Sequence, residues 1–217
     1  MKMLVVFEKM GINRFIGHLD LQRAMQRALR RSGLPVCYSQ GFNPHLLLSF
    51  ASPLSVGVQG ENEVMELPLA AEISETEFLE KLNQSLPEGL KAKKAKLLED
   101  EVAPAMARLA AAVYRITPCE GAQTLFDAAP KFLKLESLPY TKKTKTRERT
   151  DDFRPLLYNL TVKGDDLIAV LAVKESGTGK PEQLMNLLCD FAGLPLPRCL
   201  VTRTALLDER FKPLEEP

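Results

Sequence analysis

Apolar residues between positions 18 and 32 recur at helical spacing. Leu21, Ala24, Met25, Ala28 and Leu29 fall at i, i+3, i+4, i+7 and i+8, a single stripe of the kind a core covers. The other flank carries Arg23, Arg27, Arg30 and Arg31, with Asp20 as the one acid near them. The period predicts a helix from about His18 to Ser32, stopped by Gly33 with Pro35 beyond it. Before it, the apolar run Met3 to Phe7 reads as a strand. After it, Pro35 to Ser39 and Leu46 to Phe50 read as short extended pieces around a turn set by Gly41 and Asn43-Pro44. Glu63 to Leu69 alternates, with Val64 and the leucines as its buried set. Ser74-Glu75-Thr76-Glu77 opens a helix as a capping box, Phe78, Leu79, Leu82 and Leu86 supply its stripe, and Pro87 ends it. Lys91 to Leu98 is a strand with lysines along it, a composition that protects a sheet edge.

Strand, helix, strand, strand, helix, strand is the ferredoxin-like order. Glu99 to Arg108, a Pro- and Ala-containing stretch of mixed charge, marks a boundary, after which the order recurs. Leu109 to Thr117 is a strand and Gly121 to Ala129 a short helix; Phe153 to Val162 and Leu167 to Lys174 form a hairpin around Lys163-Gly164-Asp165-Asp166. Pro181 to Phe191 is a helix with proline first, and Leu200 to Leu207 a closing strand. The expected fold class is α+β, two ferredoxin-like βαββαβ halves duplicated along the chain. The expected domains are residues 1–100, holding the arginine helix and the loop after it, and residues 108–217, holding a basic loop at 141–149.

Length changes this picture little, since 217 residues suffice for two cores of about 100 residues each. Charge changes it more. The net value is +1, but residues 1–50 carry seven Lys and Arg against Glu8 and Asp20, whereas residues 51–90 carry eight glutamates against Lys81. Such a division presents one face to anions and another to cations or solvent. The hydrophobic stretch at the start ends at Glu8, and no apolar run approaches bilayer-crossing length, so a cytoplasmic chain with no membrane association is expected. Cys37, Cys119, Cys189 and Cys199 are scattered, with no CxxC and no histidine placed to complete a metal set; neither a metal nor a cofactor is expected. Cys189 and Cys199 read as small buried apolar residues.

Candidate chemistry gathers early in the chain. Four guanidiniums on one helix flank suit phosphate or carboxylate, because each presents a planar fork of donors. Arg14 precedes them, and Tyr38-Ser39-Gln40-Gly41-Phe42-Asn43-Pro44-His45 follows, a loop of donors, acceptors, aromatic faces and turn-formers. Aromatic stacking combined with phosphate contacts favours RNA as the anionic partner. Arg14, Arg23, Arg27, Arg30, Arg31, Tyr38, Gln40, Asn43 and His45 are the candidate binding residues there. Lys142, Lys143, Lys145 and Arg147 add a second basic set in TKKTKTRER, which has no apolar side chain and is expected to stay mobile without a ligand. The chain's two histidines, His18 and His45, are the candidate catalytic pair for metal-independent RNA cleavage, against a purely structural reading of each. Asp20 complements the helix dipole. Thr202-Arg203-Thr204 reads as a solvent-facing sheet position, and Ser176-Gly177-Thr178-Gly179-Lys180 is too short for a phosphate-binding P-loop.

GHLDLQRAMQRALRRSGLP, YSQGFNPH and LSFASPLSVGV resemble the signature of the uncharacterised radical-SAM-linked family, bacterial proteins encoded beside, or fused to, a radical SAM enzyme. The likeness is dense in residues 11–67 and returns at TKTRERTDDFRPLLYNL and VTRTALL. It implies a radical SAM enzyme as partner and brings no known reaction. The CxxxCxxC that holds such an enzyme's cluster does not occur in this sequence, so the resemblance makes the chain a servant of that enzyme. The layout is also similar to the RAMP superfamily of CRISPR-associated RNA-processing proteins, though their glycine-rich loop near the C-terminus has only the SGTGK segment as counterpart here. The expected function is a non-catalytic RNA-binding accessory, the reading leaning against catalysis by the chain itself. A RAMP-type endoribonuclease and a protein adaptor for the radical SAM partner are the alternatives.

Overall fold

The computed structural model describes residues 1–143, 148–174 and 177–216. By internal contacts the chain divides into one unit of Met1–Leu109 with Arg203–Pro217 and another of Ala110–Thr202.

In the first unit β1 (Lys2–Lys9) leads through a 3-10 turn (Gly11–Phe15) into α1 (His18–Arg31). β2 (Ser49–Phe50), β3 (Gln59–Pro68), α2 (Glu75–Ser85), β4 (Leu90–Leu98) and the single turn α3 (Ala105–Arg108) follow. The strands lie in the order β2-β3-β1-β4, each pair antiparallel. Met3, Val5 and Phe7 of β1 share one buried cluster with Met25 and Leu29 of α1 and Phe78 and Leu82 of α2, and burying each such side chain contributes about 1.5–3 kcal/mol. Leu4 and Val6 alternate to the other sheet face and are equally buried. Both faces are therefore covered, and β3 departs from the alternation its sequence predicts. Residues Glu63 to Leu67 are all buried, both glutamates included.

α2 begins with Ser74 Oγ accepting from Glu77 N at 3.2 Å. Glu77 does not complete the capping box; its carboxylate reaches Lys81 at 2.7 Å, one turn on. Glu75 Oε1 instead accepts from Leu97 N of β4 at 2.9 Å. The pieces predicted at Pro35 to Ser39 and Leu46 to Phe50 reduce to the isolated bridges Val36↔Leu69 and Tyr38↔Leu46 plus the two-residue β2.

In the second unit β5 (Ala111–Pro118), α4 (Ala122–Phe132), β6 (Pro139–Lys143), β7 (Glu148–Asp152) and a 3-10 turn (Arg154–Leu156) come first. β8 (Leu157–Lys163), β9 (Asp166–Lys174), β10 (Gly177–Thr178), α5 (Pro181–Ala192) and β11 (Cys199–Leu207) follow, β11 passing into the first unit at Arg203. β9 pairs antiparallel with β8, β10 and β5, and β11 neighbours β5. The basic segment expected to be mobile is paired at its ends: β6 and β7 form a two-stranded ladder with Thr141 opposite Thr150 and Lys142 opposite Arg149. Asp152 clamps the base of that ladder, its Oδ1 accepting from Leu138 N at 2.7 Å and Arg154 N at 2.9 Å. Lys145 and Arg147, like Ser176, lie outside the described residues. Cys189 is buried, and burial pushes the Cys199 thiol up to about 11. Helices and strands mixed in both units make the fold class α+β.

Candidate functional site

α1 starts at Gly17, whose carbonyl accepts from Leu21 N at 3.0 Å, and ends where Gly33 turns with φ +66°. Its apolar stripe is spent on the core, so its arginines point outward. Arg31 Nη2 donates to Ser85 O at 2.6 Å, which draws it toward the end of α2. Arg23 meets Asp20 at 3.2 Å, with both side chains about two-thirds exposed. An ion pair so open to water is worth roughly 0–1 kcal/mol, so it does not withdraw Arg23 from other anions. Arg27 and Arg30 are exposed and make no hydrogen bond or ion pair among the described residues. Helical geometry puts Arg23, Arg27 and Arg30 within about 60° of one another over about 10 Å of axis.

The loop that follows is a built hairpin. Cys37 N donates to Pro68 O, Leu47 N to Cys37 O and Ser39 N to His45 O, at 3.1, 3.0 and 2.8 Å. Ser39 Oγ then accepts from His45 N at 3.0 Å and contacts His45 Nδ1 at 2.7 Å. Those bonds brace the stem and leave the tip, Gln40 to Pro44, in solvent. Gly41 takes φ +120°, a conformation that requires glycine there. Phe42 at the tip is 112% exposed, with both ring faces open.

The first unit also holds two buried cations that composition did not reveal. Arg203, 2% exposed, donates to Glu63 through Nε at 2.9 Å and Nη2 at 2.5 Å. Its remaining donors reach Ser52 O at 3.1 Å, Pro53 O at 3.1 Å and Ser52 Oγ at 3.3 Å. The solvent-facing position predicted for Arg203 is thus corrected: the guanidinium is a clamp that fixes the start of the 51–57 loop. Lys9 Nζ donates to Ile16 O at 3.0 Å, at the junction of the 3-10 turn and α1. Burial pushes its ammonium below the ordinary lysine range, opposed by Glu63 and reinforced by Arg203. Gly57 N closes the arrangement by donating to Arg14 O at 2.7 Å. The acidic face expected of residues 51–90 is also corrected in part. Glu63 serves Arg203, and Glu66 lies within 3.6 Å of Lys2 and 3.9 Å of Arg108 while accepting from Ala105 N at 3.0 Å.

The first-unit candidates therefore fall on one helix face (Arg23, Arg27, Arg30), at its end (Arg31), on the 3-10 turn (Arg14) and on the hairpin (Tyr38, Gln40, Asn43, His45). Lys142 and Lys143 lie on β6 of the other unit. The two histidines are tied into the scaffold: the His18 ring stands edge-on to Phe50 at 5.3 Å with Nδ1 buried and unpartnered, and His45 braces the hairpin stem. No group of three or more His, Cys, Asp or Glu among the described residues is arranged to hold a metal ion. Sequence reasoning missed the exposed apolar side chains Ile12, Phe15, Leu19 and Val56. Phe42 had a readable signal, since an aromatic between Gly41 and Asn43-Pro44 sits on a turn tip and cannot reach a core.

A family model described as an uncharacterized protein conserved in bacteria, DUF2344, matches residues 2–182. No curated protein matches the chain. Among the described residues no helix is long and apolar enough to cross a membrane.

Proposed function

The chain belongs to this bacterial family, DUF2344, and we propose that it is a non-catalytic RNA-binding accessory protein. The observation that carries this reading is the outer face of α1, where Arg27 and Arg30 stand exposed and, among the described residues, unpaired beside Arg23, which meets the solvated Asp20. Guanidiniums so placed neutralise phosphates and release counterions, and the hairpin that follows α1 along the chain offers amide and aromatic groups of the kind that read unstacked bases. Engagement of both histidines within the scaffold favours binding over cleavage. The resemblance of the sequence to radical-SAM-linked proteins supplies the proposed partner, a radical SAM enzyme that modifies or processes the bound RNA. Four free thiols are compatible with the reducing cytoplasm. Two ferredoxin-like halves belong to the same reading, supported by a βαββαβ order from β1 to β4, by the same order from β5 to β11 once β6, β7 and β10 are set aside, and by the sheet sequences β2-β3-β1-β4 and β8-β9-β5-β11.

Filter binding of labelled RNA across a salt series tests the reading. The wild-type chain should lose affinity as salt rises, and Arg27→Ala with Arg30→Ala should weaken binding and reduce the log–log slope by about 0.7 per arginine. An affinity indifferent to salt, or unchanged in the double variant, contradicts it.

A further inference from the structure

We propose that the α1 and hairpin surface takes unpaired RNA, a loop or single strand, with Phe42 stacking on an extruded base. The inference rests on the RNA-binding reading and adds the form of the ligand. Arginines alone do not distinguish a duplex from a single strand, because both present phosphates. The exposed apolar groups of the same segment, residues 14–42, do distinguish.

Phe42 is 112% exposed, with nothing stacked on its ring among the described residues, and Phe15, 57% exposed, has Arg14 Cζ 4.6 Å from its ring centroid. Leu19 lies on the arginine stripe itself, one turn before Arg23, and is exposed. Paired bases keep their faces stacked inside a helix, so rings like these gain contact only from bases that have left the stack. Charge complementarity selects the occupant: an apolar protein surface would leave Arg14, Arg23, Arg27 and Arg30 facing nothing, whereas a nucleic-acid strand supplies ring faces and phosphates together. The geometry is also preformed. The Ser39–His45 bonds and the Cys37, Leu47 and Pro68 ladder fix the stem, and Lys9 and Arg203 fix the turn and loop below it. Little ordering cost then falls on binding.

The test is fluorescence anisotropy of the full chain with labelled oligouridylate alone and with the same strand annealed to oligoadenylate. Wild type should bind the single strand at least about tenfold more tightly than the duplex. Phe42→Ala should weaken single-strand binding about tenfold, as loss of one stacked base does, and leave the duplex unchanged, while Phe42→Tyr should retain binding. Phe42 touches no core, so the variants fold. Equal affinity for both forms, lost on Arg27→Ala with Arg30→Ala but unmoved by Phe42→Ala, overturns the single-strand inference and leaves RNA binding standing. Binding of neither form overturns both and leaves the surface to a protein partner.

Discussion

Glu63 holds the Arg203 guanidinium through two contacts inside the first unit, both side chains being buried. Glu63→Gln removes the carboxylate charge that faces this buried guanidinium, and it should cost about 3–5 kcal/mol in urea unfolding. Replacing both partners by apolar residues, Glu63→Leu with Arg203→Met, should cost less than the single change, because the guanidinium is then removed together with its carboxylate. A stability equal to wild type in Glu63→Gln would mean that the clamp does not hold the 51–57 loop. None of this was legible in the sequence. Thr202-Arg203-Thr204 has the polar look of an exposed strand, and its partner lies 140 residues away. The arginines of α1 were legible because helical period alone separates them from the core stripe; their pairing to Asp20 and Ser85 was not.

At the scale of elements, most helices and strands form close to the predicted bounds, since the period of apolar positions is a local property. Alternation does not hold in β3, because it assumes one wet face and both faces of that sheet are covered. The two ends of the basic segment, 141–143 and 148–149, differ from the expectation for another reason. Absence of apolar side chains argued against packing, yet β6 and β7 need only each other's backbone and a clamp at the base. That clamp makes a pH prediction. The backbone N–H groups of Arg154 and Leu138 hold the Asp152 carboxyl below its usual range. A depressed folded pKa stabilises the closed ladder above the unfolded value, 3.8, and the stabilisation is lost as pH falls through the lower folded value. Amide exchange in β6 and β7 should accelerate over that acid window ahead of exchange in β5 and β9, and Asp152→Asn should remove the pH dependence. Uniform exchange across the unit would show that Asp152 does not govern the ladder.

For the whole molecule, the division into basic and acidic segments seen along the chain becomes something more specific on folding. Two glutamates of the acidic stretch turn inward to neutralise Arg203, Lys2 and Arg108, while the α1 arginines stay outside with solvent on their open side. Folding thus uses acids to bury some cations and leaves others available, which is the physical basis for proposing an anionic partner. The most direct measurement is ultraviolet crosslinking of the native chain to RNA, followed by mass spectrometry of the crosslinked peptides. Crosslinks should fall on the peptides spanning Arg14 to Arg31 and Tyr38 to His45. RNA crosslinked only elsewhere, or none at all, would contradict the account.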